Sequence, residues 1–301
     1  MIKFILNGFF RSGTTLLWKI MRESNPDMYV FCEPLHNEFF KSLYREQILK
    51  QYGHSYPTTN EYIDRKDGFL KHVRRFHPLI GDEVYTFKVD EVIRYLEIYD
   101  SMNKPVILQP NRLHFILADI ARAFNCKVAH IIRHPLDVFL SVIFSSPKLK
   151  HLRKLSGINP YFFRLLRNCN PFFLDEQCDF ISRYFGTNQT QKSYDKYLRS
   201  KRYYLQKFIL CWTISNWYAV KEIDKENGLV VRYEDIIKRE NSLHLLENYS
   251  GVRFNPWEVN IHERSILKYK KDDMKLCYHF AVKVGVGEKF IDIMRRFNYD
   301  E

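Results

Sequence analysis

Nowhere in these 301 residues do about 20 apolar residues follow one another, so no segment reads as a bilayer-spanning helix. Cysteine is sparse and without pattern. Cys32, Cys126, Cys169, Cys178, Cys211 and Cys277 show neither Cys-x-x-Cys nor a Cys/His ligand spacing. That excludes a disulfide framework and a zinc finger, and it predicts free thiols in a reducing compartment. The first apolar run, residues 2–6, is soon interrupted by Gly8, which is too short for a secretory leader and has no cleavage signal. The expected location is the cytoplasm. Repeats and Gly/Ser-rich linkers are missing too, and the length suits one large α/β domain.

Acidic residues are in deficit: 47 Lys and Arg face 35 Asp and Glu, for a net charge of +12. Over residues 145–210 thirteen basic side chains meet only four acidic ones, interleaved with Phe and Tyr. An excess of this kind predicts anionic ligands or partners. It suits an enzyme of anionic substrates, peripheral contact with an anionic membrane surface, or a nucleic-acid binder that stacks bases on its aromatics. No named nucleic-acid motif accompanies it, which makes nucleic acid the weakest of the three.

Strand signals and helical signals alternate along the chain. "IKFIL" (2–6), "MYVF" (28–31), "PVIL" (105–108), "KVAHIIR" (127–133) and "GLVVRY" (228–233) are β-branched runs bounded by turns or charge. Between them, residues 14–24, 112–124 and 211–223 place apolar side chains at helical spacing. The pattern predicts a P-loop-type parallel sheet flanked by helices, in a single domain over residues 1–301. Residues 145–210 are expected to form a helical basic and aromatic cap inserted within it.

The stretch "NGFFRSGTTL" (7–16) follows the first strand and opens an amphipathic helix. A glycine turn at a helix N-terminus exposes amides and a partial positive charge, the elements of a phosphate cradle. The lysine of a nucleotide-hydrolysing loop is absent: Thr14 stands in its place, and Arg11 sits inside the loop. The same residues also suit a plain helix start, since Ser12 and the threonines are favoured at helix N-termini. A kinase-like phosphotransferase is the alternative enzyme, weakened by Thr14 and by the lack of a clear magnesium-binding Asp after an apolar strand. A second cluster, "HIIRHPLDVFLS" (130–141), ends a buried strand at Arg133 and starts a helix at Pro135. Ser141 lies two turns along that helix, so an arginine and a hydroxyl can grip a second phosphate.

Taken together, "FRSGTTLL" and "RHPLDVFLS" resemble the sulfotransferases that use 3′-phosphoadenosine 5′-phosphosulfate (PAPS). The resemblance extends to "NPDMYVFCEPLH" (25–36), similar to a carbohydrate sulfotransferase motif, to "GLVVRYEDI" (228–236) and to "FNY" (297–299). It implies that Arg11, Ser12, Gly13, Thr14 and Thr15 hold the 5′-phosphosulfate, and that Arg133 and Ser141 hold the 3′-phosphate. It also implies an acceptor hydroxyl on a carbohydrate or glycoconjugate. The chain departs from the cytosolic members in having Leu16 where they carry Trp, and in lacking their late arginine-lysine-glycine clamp.

Sulfuryl transfer by in-line displacement needs charge stabilisation at the transferring group and a base for the acceptor. Arg11 fits the first task. Glu33, emerging after the strand over 28–31, is the first candidate base, and His36 the second. No metal is required, and no carboxylate pair near the loop suggests one. Asn111 and Arg112 are candidate acceptor contacts.

Overall fold

Strands covered on both faces need no polar alternation, which is why these runs are almost wholly apolar. The structure, a computed structural model, describes residues 1–35, 88–144, 174–185, 194, 196–200, 203–238, 241–255 and 271–299. Among them lie five strands: β1 (Ile2–Gly8), β2 (Tyr29–Cys32), β3 (Val106–Gln109), β4 (Lys127–Ile132) and β5 (Leu229–Arg232). They form one all-parallel sheet in the order β2-β3-β1-β4-β5. Each lies within a residue or two of its expected run, as the α/β reading requires.

The helices, in chain order, are α1 (Thr14–Ser24), α2 (Val89–Asp100), α3 (Leu117–Phe124), α4 (Pro135–Ile143), α5 (Leu174–Phe185), α6 (Tyr204–Lys225), α7 (Tyr233–Ile237), α8 (Ser242–Ser250), α9 (Lys271–Lys283) and α10 (Gly287–Arg296). The helix expected over 112–124 is shorter than its apolar spacing suggests. It begins only at Leu117; upstream of it Asn7 takes the Leu113 amide onto its side-chain oxygen at 3.3 Å and donates to His114, which ties residues 113–114 to β1. Of the cap expected over 145–210, the described part is helical, in α5 and the first turns of α6.

The chain divides into two compact units. The first comprises residues 1–8, 13–131 and 219–261 and contains the sheet. On one sheet face Phe4, Leu6, Val30, Cys32, Ala129 and Val231 pack with Leu17, Trp18 and Met21 of α1 and with Leu243 and Leu246 of α8. Trp18 is buried, and its indole donates to the Val30 carbonyl at 2.8 Å, so its one polar atom costs nothing to bury. Each large side chain of this kind contributes about 1.5–3 kcal/mol by leaving water. On the other face Phe31 meets Tyr99 of α2, ring centroids 5.0 Å apart.

The second unit comprises residues 9–12, 132–218 and 262–301. Phe208 of α6 anchors it, packing against Phe9 at 6.0 Å and Phe139 of α4 at 5.2 Å. The Cys178 and Cys211 sulfurs lie 3.6 Å apart as free thiols, and burial pushes the Cys211 thiol up. Among the described residues no helix is long and apolar enough to cross a membrane.

Candidate active site

In the first unit the loop between β1 and α1 is shaped by two glycines. A Cβ at Gly8 would lie 2.4 Å from the Thr14 methyl and 2.5 Å from Ile131 Cγ2. Glycine there lets the start of α1 come close to the end of β4. Gly13 has φ +98°, and a Cβ on it would fall 2.2 Å from Cδ2 of Tyr233. The Tyr233 ring, carried on the first residue of α7, therefore lies directly on the loop backbone. Gly13 is also the N-cap of α1, and no side chain caps that helix. Leu16 and Leu17 both donate to the Gly13 carbonyl. The Thr14 and Thr15 amides are the donors such a helix start offers an anion.

In the second unit, residues 9–12 meet the segment that follows β4. The Arg133 guanidinium donates to the Arg11 carbonyl at 3.1 Å, and Arg11 Nε donates to the Ser141 hydroxyl at 3.4 Å. Ser141 stands two turns into α4, whose entry is set by Pro135 in its first turn and by His134, which accepts the Leu136 amide. Trp212 of α6 donates its indole N–H to the Arg133 carbonyl at 3.1 Å, and Tyr299 meets the His134 ring edge-on at 5.2 Å. Arg11 itself is left-handed, with φ +64°. An arginine in that region costs about 1–2 kcal/mol. Beside it the Ser12 hydroxyl is fully buried, at 0% exposure, and has no hydrogen-bond partner.

Glu33, in the first unit, directly follows β2 and is also left-handed, with φ +47°. Its amide donates to the Gln109 carbonyl at 2.7 Å, which extends the β2–β3 ladder by one residue. Asn111, left-handed at φ +56°, donates its side-chain amide to a Glu33 carboxylate oxygen at 3.0 Å. The residues after Glu33 are pinned from two sides. Tyr95 donates to the Pro34 carbonyl at 2.6 Å, and Arg112 to the Leu35 carbonyl at 2.8 Å. Within the first unit, two non-glycine residues with left-handed backbone, Glu33 and Asn111, thus follow the ends of β2 and β3. In doubly wound sheets that carboxyl edge is the ligand edge.

A buried polar cluster underlies the end of β1. Asn7 gives one side-chain hydrogen to Nδ1 of His114 and the other to Nδ1 of His130, each at 3.0 Å. With its oxygen taken by the Leu113 amide, Asn7 cannot be turned over, so both imidazoles carry their proton on Nε2. Burial holds His114 well below the usual histidine range, helped by His130 and Arg112.

The structure thus brings Arg11, Arg133 and Ser141 into direct contact, with Ser12 adjacent in sequence to Arg11. It places Gly13, Thr14 and Thr15 at the start of α1, and Glu33 at the end of β2. His36 lies outside the described residues. Among those described, no group of three His, Cys, Asp or Glu is placed to hold a metal ion. In the sequence Tyr233 stands only as part of the 228–236 motif, and Cys32, Gln109 and Trp212 carry no site signal. Only the sheet register and the fold of α6 reveal where these point.

No protein-family model matches the chain. An uncharacterized protein of Archaeoglobus fulgidus is 31% identical over 305 residues, which span 94% of each chain. Among solved structures, the sulfotransferase domain from the Synechococcus PCC 7002 olefin synthase is similar at 16% identity with a TM-score of 0.43, covering 100% of this chain and 95% of that one. The sulfotransferase domain from the curacin biosynthetic pathway is similar at 16% identity with a TM-score of 0.39, covering 88% of this chain and 78% of that one.

Proposed function

We propose that this chain, which belongs to one family with the Archaeoglobus fulgidus protein, is a sulfotransferase. In this reading it carries a sulfuryl group from PAPS to a hydroxyl on a carbohydrate or glycoconjugate. One observation carries the proposal: Arg133 and Ser141 both engage Arg11, next in sequence to a buried serine hydroxyl with no partner. Two planar guanidinium forks match paired phosphate or sulfate oxygens. A buried hydroxyl without a partner is costly in the free protein and useful only when an acceptor or donor arrives.

The residues fit such a donor without a lysine. Arg133 and Ser141 hold its 3′-phosphate. Arg11, the Ser12 hydroxyl and the Gly13, Thr14 and Thr15 backbone hold its 5′-phosphosulfate. When bound, PAPS supplies the activated sulfuryl group. Arg11 then faces charge growing on the departing phosphate side, where preorganised donors act most strongly. Glu33 accepts the proton of the acceptor hydroxyl, a role worth about 10²–10⁴-fold in rate. Its carboxylate is already oriented by Asn111, at 3.0 Å.

Calorimetric titration of adenosine 3′,5′-bisphosphate, set against ATP with Mg²⁺, tests the reading in wild type and Arg133→Ala. Tight bisphosphate binding that the substitution weakens by about two orders of magnitude supports it, the loss expected when a charged hydrogen-bonding partner is removed. Preference for ATP with Mg²⁺, or indifference to both nucleotides, refutes it.

A further inference from the structure

Four side chains in the first unit form one directional line of hydrogen bonds that ends on Glu33. The Cys32 thiol donates to Gln109 Oε1 at 3.1 Å. Gln109 Nε2 donates to Asn111 Oδ1 at 2.5 Å, and Asn111 Nδ2 donates to Glu33 Oε1 at 3.0 Å. Gln109 is fully buried, while Cys32 and Asn111 are 3% and 9% exposed, so the first two bonds are shielded from water and the line reaches solvent only at the half-buried Glu33. The line follows from the sheet register. Cys32 and Gln109 are paired across β2 and β3, so their side chains share a face.

Each amide here has an oxygen end and a nitrogen end, and the line works in only one sense. Were Gln109 turned over, its oxygen would meet Asn111, and Asn111 would have to turn as well. Asn111 would then present its carbonyl oxygen to the carboxylate, lone pair against lone pair. The thiol resists this reversal at the far end, because sulfur accepts a hydrogen bond only weakly.

We propose that Asn111 is the positioning residue for the Glu33 carboxylate, and that the Cys32 thiol sets the direction of the line that makes it so. The proposal rests on the reading of Glu33 as the acceptor's base. Left-handed backbone at both Glu33 and Asn111 accords with it, since such conformations persist where surrounding contacts hold them in place. Asn111 acts through Glu33 and needs no contact with substrate.

Two measurements test it. In the first, PAPS turnover is followed by release of adenosine 3′,5′-bisphosphate in wild type, Asn111→Ala, Cys32→Ala and Cys32→Ser. Asn111→Ala is expected to lower kcat about tenfold or more, the order lost when a reacting group is misplaced. KM for PAPS and calorimetric affinity for the bisphosphate stay within about twofold, because the donor site is untouched. Cys32→Ala lowers kcat by a smaller factor, and Cys32→Ser, which keeps a donor, restores it. An unchanged kcat in Asn111→Ala, or equal loss of kcat and bisphosphate affinity, overturns the proposal.

The second measurement needs no turnover. Side-chain amide protons are observed by ¹⁵N–¹H spectroscopy in wild type, Glu33→Gln, Cys32→Ala and Cys32→Ser. The Asn111 amide proton should move when Glu33 loses its charge and again in Cys32→Ala, but not in Cys32→Ser. A resonance indifferent to Glu33→Gln and Cys32→Ala overturns the line of bonds itself. If wild type binds no bisphosphate while these resonances behave as expected, the sulfotransferase reading fails and the hydrogen-bond line stands.

Discussion

The side chain of Arg133 holds the backbone of Arg11, its guanidinium donating to the Arg11 carbonyl at 3.1 Å. The residue behind the second predicted phosphate grip therefore also shapes the first. Arg133 is 8% exposed, and Trp212 in turn fixes its own carbonyl. A left-handed Arg11 persists because this contact sits against it.

Substitution of Ser141 distinguishes the two ends of the proposed nucleotide donor. Its contact with Arg11 Nε is exposed and, at 3.4 Å, long for a hydrogen bond, so oxygens of an anion can replace it at little cost. Ser141→Ala is expected to weaken adenosine 3′,5′-bisphosphate by about 1–1.5 kcal/mol, or roughly tenfold. Adenosine 5′-phosphate, which has no 3′-phosphate, should bind wild type and variant alike. Calorimetry with the two nucleotides checks this, and equal losses for both would remove Ser141 from the 3′-phosphate grip.

Ser12→Ala should move stability and binding in opposite directions. The Ser12 hydroxyl is buried without a partner in the free protein, so deleting it relieves a desolvation cost of about 1 kcal/mol or more. Urea unfolding without nucleotide should therefore show Ser12→Ala to be no less stable than wild type. With saturating bisphosphate the order reverses, because wild type gains more from ligand binding. A variant destabilised in both conditions would mean that the hydroxyl serves the fold.

Much of this arrangement was legible before any coordinates. The strands stood out because β-branched runs such as 128–132 are buried on both faces. The helix over 14–24 stood out because its apolar side chains recur at one spacing. Arg11, Arg133 and Ser141 lie in two short motifs whose local strand–loop–helix geometry carries them to one place. The limits have physical causes. Residues 113–116 have helical spacing but lie outside the helix, and Leu113 and His114 among them bond to Asn7, more than a hundred positions earlier. The line from Cys32 to Glu33 depends on the β2–β3 register, which no local pattern specifies. Tyr233 carries no local signal of its place either, since its ring covers Gly13, more than two hundred positions earlier.

That cover predicts the behaviour of Gly13. Alanine there would have to adopt φ near +98° and would place its Cβ 2.2 Å from the Tyr233 ring. The backbone alone costs about 1–2 kcal/mol, and the collision adds to it. Gly13→Ala should lose at least about 2 kcal/mol in urea unfolding. Adding Tyr233→Ala should recover the steric part only, so the double variant is more stable than the sum of the two singles predicts. Strict additivity would show that the ring yields freely and does not press on the loop.

Acid should destabilise the protein through His114. This imidazole is buried beside His130 and Arg112, and its native pKa lies well below that of the unfolded chain, about 6.5. As pH falls below about 6.5, the unfolded state takes up a proton that the native state refuses, so stability drops with a slope of up to about 1.4 kcal/mol per pH unit. Stability from this group is intact above that pH and is lost as pH falls toward the native pKa. The hydrogen-bond pattern gives the cause. A second ring proton on Nδ1 would point at the Asn7 amide, donor against donor, at a contact now 3.0 Å long. His114→Gln keeps an acceptor for Asn7 and has no proton to gain. Its urea midpoint at pH 7 is expected at or below that of wild type. Between pH 6.5 and pH 5 it should then fall more gently, so that the two stabilities converge or cross. Parallel decline of the two proteins over that window would mean that His114 is protonated in the native state as readily as in the unfolded one.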